Sequence, residues 1–280
     1  MKHNEIMTDT TTGKRSLHAI IMSGFSDLRE GMMQWRVWHL IGAGDLRRRY
    51  ARSMIGQFWL TLSTGISVLI MAFVWSAIFK ATLADMLPYM AVSIILWQFI
   101  AGIMSDATSI FSSNSHMLLN QRMVCSTIVI ASVYRNFLTL LHNLIIIPII
   151  FIVFLVPVKL QILLLIPSFV LIVITSIWVS YIVAALCARF RDFSNVLNSV
   201  MQLAFYVTPV IWKTGLLGEN LKWVIWANPF TYFLNIMRSP ILGQPLSAFD
   251  WVIPVLITFF GLFFSLIFIG KFRRQVLYWI

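Results

Sequence analysis

Residues 57–79 run without a single Asp, Glu, Lys or Arg, and residues 161–187 do the same. Such runs fix the solvent before they fix the fold. A helix rises ~1.5 Å per residue, so about 20 apolar residues match the ~30 Å hydrocarbon layer of a bilayer. Composition agrees: 59% of the residues are hydrophobic and 11% are charged, where a water-soluble domain carries about 25% charge. The sequence therefore predicts an all-α membrane protein.

Six transmembrane helices are expected: 57–79, about 88–112, about 128–156, about 161–187, a fifth from near Phe193, and about 251–270. Residues 1–30 read as a polar, loosely ordered cytoplasmic tail; residues 1–16 lack an apolar stretch followed by a small-residue cleavage site, so a removable signal peptide is not expected. Residues 31–56 combine an amphipathic interface helix with a basic segment. Val37, Trp38 and Ile41 share a helical face there, which suits a helix lying at headgroup depth. Residues 57–270 form the transmembrane domain and 271–280 a cytoplasmic C-terminal tail.

The stretch 193–238 resists a single helix, because Pro209, Gly215, Gly218 and the pair Asn228-Pro229 interrupt it. Charge decides between a seventh span and a segment that dips in and returns. With six spans and an inside N-terminus, 16 Lys and Arg stay inside. Five lie outside: Lys80, Lys159, Lys213, Lys222 and Arg238. A seventh span would move Lys271, Arg273 and Arg274 outside, against the positive-inside bias. The reading is six spans with a re-entrant hairpin between spans five and six. Broken backbone at membrane depth needs protein or a wet cavity around it, so this hairpin is expected to border a transport path.

Excess basic charge, 21 Lys and Arg against 10 Asp and Glu, belongs to the same bias. No basic soluble domain exists to carry a nucleic-acid partner. Acidic residues after position 30 are dispersed and make neither a metal-ligand set nor a catalytic pair. The two cysteines point to neither a structural disulfide nor a metal site. Gly13-Lys14-Arg15-Ser16 lacks the earlier glycine of a phosphate loop, so no ATP site is expected in this chain.

Charge inside the spans is the sharper signal. Asp106 and Arg135 sit one to two turns inside the ends of adjacent helices, and an ion pair would reduce the cost of burying each. Trp97, Phe99, Phe205 and Tyr206, with Trp75 less deep, are either packed or line a channel whose rings stack on sliding sugars. Arg47, Arg48, Arg49 and Arg52 serve cytoplasmic retention or attract a lipid phosphate. Between spans two and three, residues 114–126 form a short amphipathic helix or an ordinary loop. In the helical reading Met117 and Leu118 are available to a partner's groove, followed by Asn120, Gln121 and Arg122.

Local sequences then carry a resemblance. Leu46-Arg47-Arg48-Arg49-Tyr50-Ala51-Arg52-Ser53 precedes Gly56 and Trp59; Arg189-Phe190-Arg191-Asp192 follows span four; Thr208-Pro209-Val210, Asn228-Pro229-Phe230 and Arg238-Ser239-Pro240 follow in order. In this order the chain resembles the permease subunit of bacterial polysaccharide-exporting ABC transporters, the ABC-2 type group that moves O-antigen, capsule and teichoic-acid polymers. The resemblance implies a homodimer in the bacterial inner membrane, with both termini cytoplasmic. Two ATP-binding cassette subunits would hold the ATP and Mg, leaving this chain without a cofactor. The 113–126 segment would be the coupling helix, and short gate helices carrying Pro209, Gly215, Gly218, Asn228 and Pro229 would close the outer mouth. Where the family often has a proline after the coupling helix, this chain has Val124-Cys125-Ser126. The implied activity is export of a lipid-linked polysaccharide, most simply O-antigen. A small-molecule or lipid exporter and a membrane enzyme acting on a lipid carrier are the alternatives.

Overall fold

A computed structural model describes residues 16–51, 54–56, 58–121, 123–216 and 222–280. Arg52, Arg122 and Gly218, each given a role above, lie outside the described residues. Among the described residues every regular element is helical. The chain runs through α1 (Leu17–Met33), α2 (Trp35–Tyr50), α3 (Phe58–Phe79), α4 (Leu83–Ala107), α5 (Ile110–Ser113), α6 (Ser115–Asn120), α7 (Cys125–Leu144) and α8 (Ile146–Val153). It continues through α9 (Leu165–Arg189), α10 (Phe193–Val207), α11 (Lys222–Ala227), α12 (Pro229–Leu242) and α13 (Ala248–Trp279).

Five elements are long and apolar enough to span: α3, α4, the nearly continuous α7–α8 at Cys125–Val153, α9 with its preceding turn at Leu160–Arg189, and α13. The fifth expected span is shorter. Helix α10 has 15 residues, about 22 Å at ~1.5 Å per residue. It stops where it does because Thr208 precedes Pro209. A proline ring disfavours helical backbone in the residue before it, and Thr208 is extended at φ −81° and ψ 139°.

The segment expected as a re-entrant hairpin folds as two short helices, α11 and α12. Asn228 caps α12 by accepting a hydrogen bond from the Phe230 amide at 3.0 Å, and Pro229 takes the first helical position, where no N–H is needed. Phe230 meets Trp97 halfway along α4, with ring centroids 5.6 Å apart. At the other end Gly243 closes α12 in the left-handed conformation, φ 64°, and its carbonyl accepts from Lys159 Nζ at 2.9 Å. Helix α12 therefore climbs from mid-bundle to the end marked by Lys159. Most of its surface is buried, Tyr232, Leu234, Ile236 and Met237 included. Central helix α4 is buried along most of its length between α3, α7, α9, α10 and α12.

Of the expected N-terminal tail, residues 1–15 lie outside the described residues; the rest of it and the C-terminal segment are helical. Residues 17–33, expected to be loose, form α1, and it docks on α13. A methyl on Gly24 would sit 2.1 Å from the Leu266 carbonyl oxygen, and one on Gly270 would sit 1.9 Å from that of Ile20. Only glycine permits two backbones to approach so closely. Residues 271–279, expected as a tail, are the last turns of α13. Val276 is fully buried there, and the Arg189 guanidinium lies 5.5 Å from the Trp279 ring.

Candidate functional site

The break between α10 and α12 frees backbone carbonyls that a continuous helix would use. Pro209 and Trp212 direct theirs at the Tyr89 hydroxyl, which lies 3.0 Å from the first and 2.9 Å from the second. Arg238, on α12, completes the arrangement. Its Nη1 donates to Tyr89 Oη at 2.7 Å, to Ser93 Oγ at 3.1 Å and to the Pro209 carbonyl. Its Nη2 donates to Asn235 Oδ1 at 2.7 Å. The guanidinium also lies 4.6 Å from the Tyr89 ring. Arg238 is 3% exposed, so counting it among the outside cations is corrected. The physical reason is the break itself: orphaned carbonyls and an aromatic face make a host for a buried cation.

Of the residues assigned to a gate, Pro209 and Asn228 come together at this break. Asn228 Nδ2 donates to Thr208 Oγ1 at 2.8 Å, with both residues buried. Pro229 starts α12. Gly215 lies apart, beside Trp226 and Asn235 in the wall of an open cavity.

The aromatic candidates separate. Trp97 and Phe99 are buried within the single chain, 5% and 3% exposed, and do not line an open channel in this conformation. Helix α12 covers Trp97 with Phe230, while Phe99 stacks on Phe169 of α9. Phe205 packs on Trp97, and Trp75 stacks on Phe79. Only Tyr206 among the five is open, at 60%.

Tyr206 belongs to a larger feature of α10. Asn195, Asn198, Gln202 and Tyr206 are all exposed, and their spacing of three to four residues puts them on one helical face. Val196, Val200, Leu203 and Val207 form a neighbouring exposed apolar stripe, while Met201 anchors the third face in the core. Amides and a phenol without charge can exchange hydrogen bonds with water or a hydroxyl-rich solute at modest cost.

At the opposite end of the bundle, Arg135 of α7 joins two helices. Its Nη2 lies 2.8 Å from Asp106 Oδ2 on α4, and its Nη1 lies 2.9 Å from Asp45 Oδ2 on α2. Asn136 Nδ2 adds a 2.7 Å hydrogen bond to Asp106, and Arg48 pairs with Asp45. Asp45 was not singled out from the sequence. Its clue was position, three residues before Arg48 in an otherwise cationic run. These groups border a polar cavity of about 200 Å³ that also touches Arg49. Arg47, Arg48 and Arg49 are exposed.

The turn between α4 and α7 folds as α5 and α6. Leu118 is 1% exposed, buried in its own chain beside Phe111 and Tyr181, so its availability to a partner is corrected. Its burial anchors the turn, and Met117 is half-buried against the same core. On α6 and directly after it, His116, Leu119, Asn120 and Gln121 are exposed. A second residue escaped sequence reading: Asp27 of α1 is buried and accepts a hydrogen bond from Ser126 Oγ at the start of α7. Desolvation raises its carboxyl above the ordinary value of 3.8, with Ser126 and Arg273 opposing.

The model of the ABC-2 type transporter family matches residues 36–242, from the first turn of α2 to the last residue of α12. Two curated relatives bear the name O-antigen export system permease protein RfbA, both from Klebsiella pneumoniae. One is 22% identical over 204 residues, covering 72% of this chain and 79% of that protein. The other is 23% identical over 197 residues, covering 70% and 76%. The chain, with its bundle of membrane-length helices interrupted at α10–α12, belongs to the ABC-2 type transporter family as a multi-pass permease subunit.

Proposed function

We propose that this chain is the membrane subunit of an ATP-driven exporter that moves a lipid-linked polysaccharide, O-antigen in the first instance, across the bacterial inner membrane. The observation that carries the reading is the exposed uncharged polar stripe of α10, Asn195, Asn198, Gln202 and Tyr206, beside a re-entrant segment. A polar stripe facing lipid would be expensive, whereas facing a wet path it is a lining. Amides and a phenol suit a neutral sugar chain because they offer hydrogen bonds that are easily exchanged during sliding. The names of the two Klebsiella relatives support the same substrate class.

Two copies of the chain face each other across this path, and α3, apolar and exposed over most of its length, supplies further surface for lipid or for the second copy. ATP and Mg are bound by a separate ATP-binding cassette subunit, also in two copies. These dock on the exposed side of α6, at His116, Leu119, Asn120 and Gln121, with Arg122 adjoining. Both termini are cytoplasmic, on the side of Arg47–Arg49. Those arginines attract the phosphates of the lipid carrier by charge.

Co-purification tests the assembly. Tagged protein extracted gently from its native host should carry a stoichiometric soluble chain with phosphate-loop motifs. Leu119→Asp should release that chain without lowering the permease's melting temperature. A preparation that holds no ATPase after crosslinking contradicts the reading and favours an enzyme acting on a lipid carrier.

A further inference from the structure

Between α11, α12 and the first turn of α13 lies an open cavity of about 770 Å³. It sits at the end of the bundle opposite α1 and α6. Trp226, Thr231, Tyr232, Asn235, Phe249 and Asp250 line it. Trp226 and Phe249 present their rings largely uncovered, 68% and 71% exposed. Thr231 is fully buried, and its Oγ1 has no hydrogen-bond partner among the described residues.

The polar wall is rigidly held. Asp250 Oδ2 accepts from the Ser247 amide at 2.9 Å and from Ser247 Oγ at 2.7 Å, a capping box that starts α13. Its Oδ1 accepts from Asn235 Nδ2 at 3.0 Å. Asn235 in turn accepts from Arg238, so this wall is hydrogen-bonded to the break between α10 and α12.

We propose that this cavity is a saccharide-binding site, in which a sugar's C–H face rests on Trp226 or Phe249 while its hydroxyls meet Asp250 and Asn235. Rings provide apolar faces with little entropy to lose. The fixed carboxylate–amide pair offers planar acceptors and donors matched to neighbouring hydroxyls. The volume lies within the range of about 300–1,000 Å³ for small-molecule sites and is far larger than an ammonium group requires. Arg238 and Lys213, both beside the Tyr89 ring, make the surroundings a poor host for a cation. The choice of a saccharide among hydroxyl-rich ligands rests on the export reading above.

The test is direct binding by the full chain in lipid nanodiscs, since maltoside detergents would compete for such a site. The probes are tetrasaccharides of mannose, galactose, glucose and rhamnose, with fragments of the host's own surface polysaccharide. At least one probe should bind, and the double variant Trp226→Ala/Phe249→Ala should weaken it about tenfold or more. Trp226→Phe, which keeps a ring, should retain most of the affinity, and Trp59→Ala on α3 should change nothing. No binding by any probe at millimolar concentration overturns the proposal, as does equal binding by the double variant. Native mass spectrometry showing a phospholipid retained there and lost in the double variant also overturns it. If the wild type exports polymer in cells yet binds no saccharide here, the site fails alone; if no polymer is exported, the export reading fails.

Discussion

Replacing Arg238 by methionine removes a buried cation and keeps much of its volume, so the cost is chiefly in hydrogen bonds. Four are lost, from Nη1 to Tyr89, Ser93 and Pro209 and from Nη2 to Asn235. The Pro209 carbonyl keeps the Tyr89 hydroxyl, which leaves Asn235 Oδ1 and Ser93 Oγ to re-pair or go unsatisfied. Each buried orphan costs about 1–3 kcal/mol. Two such orphans together cost about 2–6 kcal/mol, and relief of the guanidinium's own desolvation offsets about half of it. A net loss of about 2–3 kcal/mol is expected, read as a fall of about 5 °C or more in thermal unfolding followed by tryptophan fluorescence in nanodiscs. Tyr89→Phe should cost about 1–2 kcal/mol, because its hydroxyl bridges Pro209, Trp212 and Arg238. The two changes share partners, so the double variant should fall short of the sum by about 1 kcal/mol. A methionine variant melting within about one degree of wild type, or strictly additive losses, would refute the idea that this network holds the broken helix together.

Gly24→Leu should detach α1 from α13, because its Cβ alone would meet the Leu266 carbonyl oxygen at 2.1 Å; limited proteolysis should then cut within residues 17–33, where wild type resists. Arg135→Ala leaves Asp45 and Asp106 facing each other without their shared cation, for an expected loss of about 1–3 kcal/mol in a melting experiment, discounted from the fully buried case because the groups are partly exposed. For Asp27 the sign follows from its raised carboxyl value. The folded state favours the protonated form, so its contribution to α1 docking is full below about 3.8 and is lost as pH rises through the raised value. Asp27→Asn keeps an acceptor for Ser126 and should melt higher than wild type at pH 7 to 8, the gap closing as pH falls towards 4. A variant that melts lower throughout would contradict that account.

Five of the six expected spans were legible because length and lack of charge leave a membrane helix few alternatives; the fifth in order is the short α10. The approach of Asp106 to Arg135 was legible for a related reason: two opposite charges inside adjacent apolar helices have few other partners. The break between α10 and α12 followed from Pro209 and Asn228-Pro229, which interrupt any longer helix. What escaped were features set by a third element. Trp97 and Phe99 look like candidates for a lining until α12 and α9 cover them. Leu118 reads as one more exposed apolar residue on a short helix, although the core beneath α6 claims it. Helix α1 docks through Gly24, Asp27 and Gly31, a face with little hydrophobic signal, so a search for apolar periodicity passes over it. Arg238 was misplaced for the opposite reason. Counting cations by loop assumes that each is solvated, and this one is solvated by protein carbonyls and a tyrosine.

Export of a sugar polymer through this chain can be measured in the cell. Deleting the chain in the native host, and restoring it from a plasmid, measures that directly when surface polysaccharide and lipid-linked polymer inside the cell are quantified together. If the chain exports the polymer, surface polymer disappears while lipid-linked polymer accumulates inside, and the plasmid reverses both. Unchanged surface polymer with no internal accumulation would contradict it.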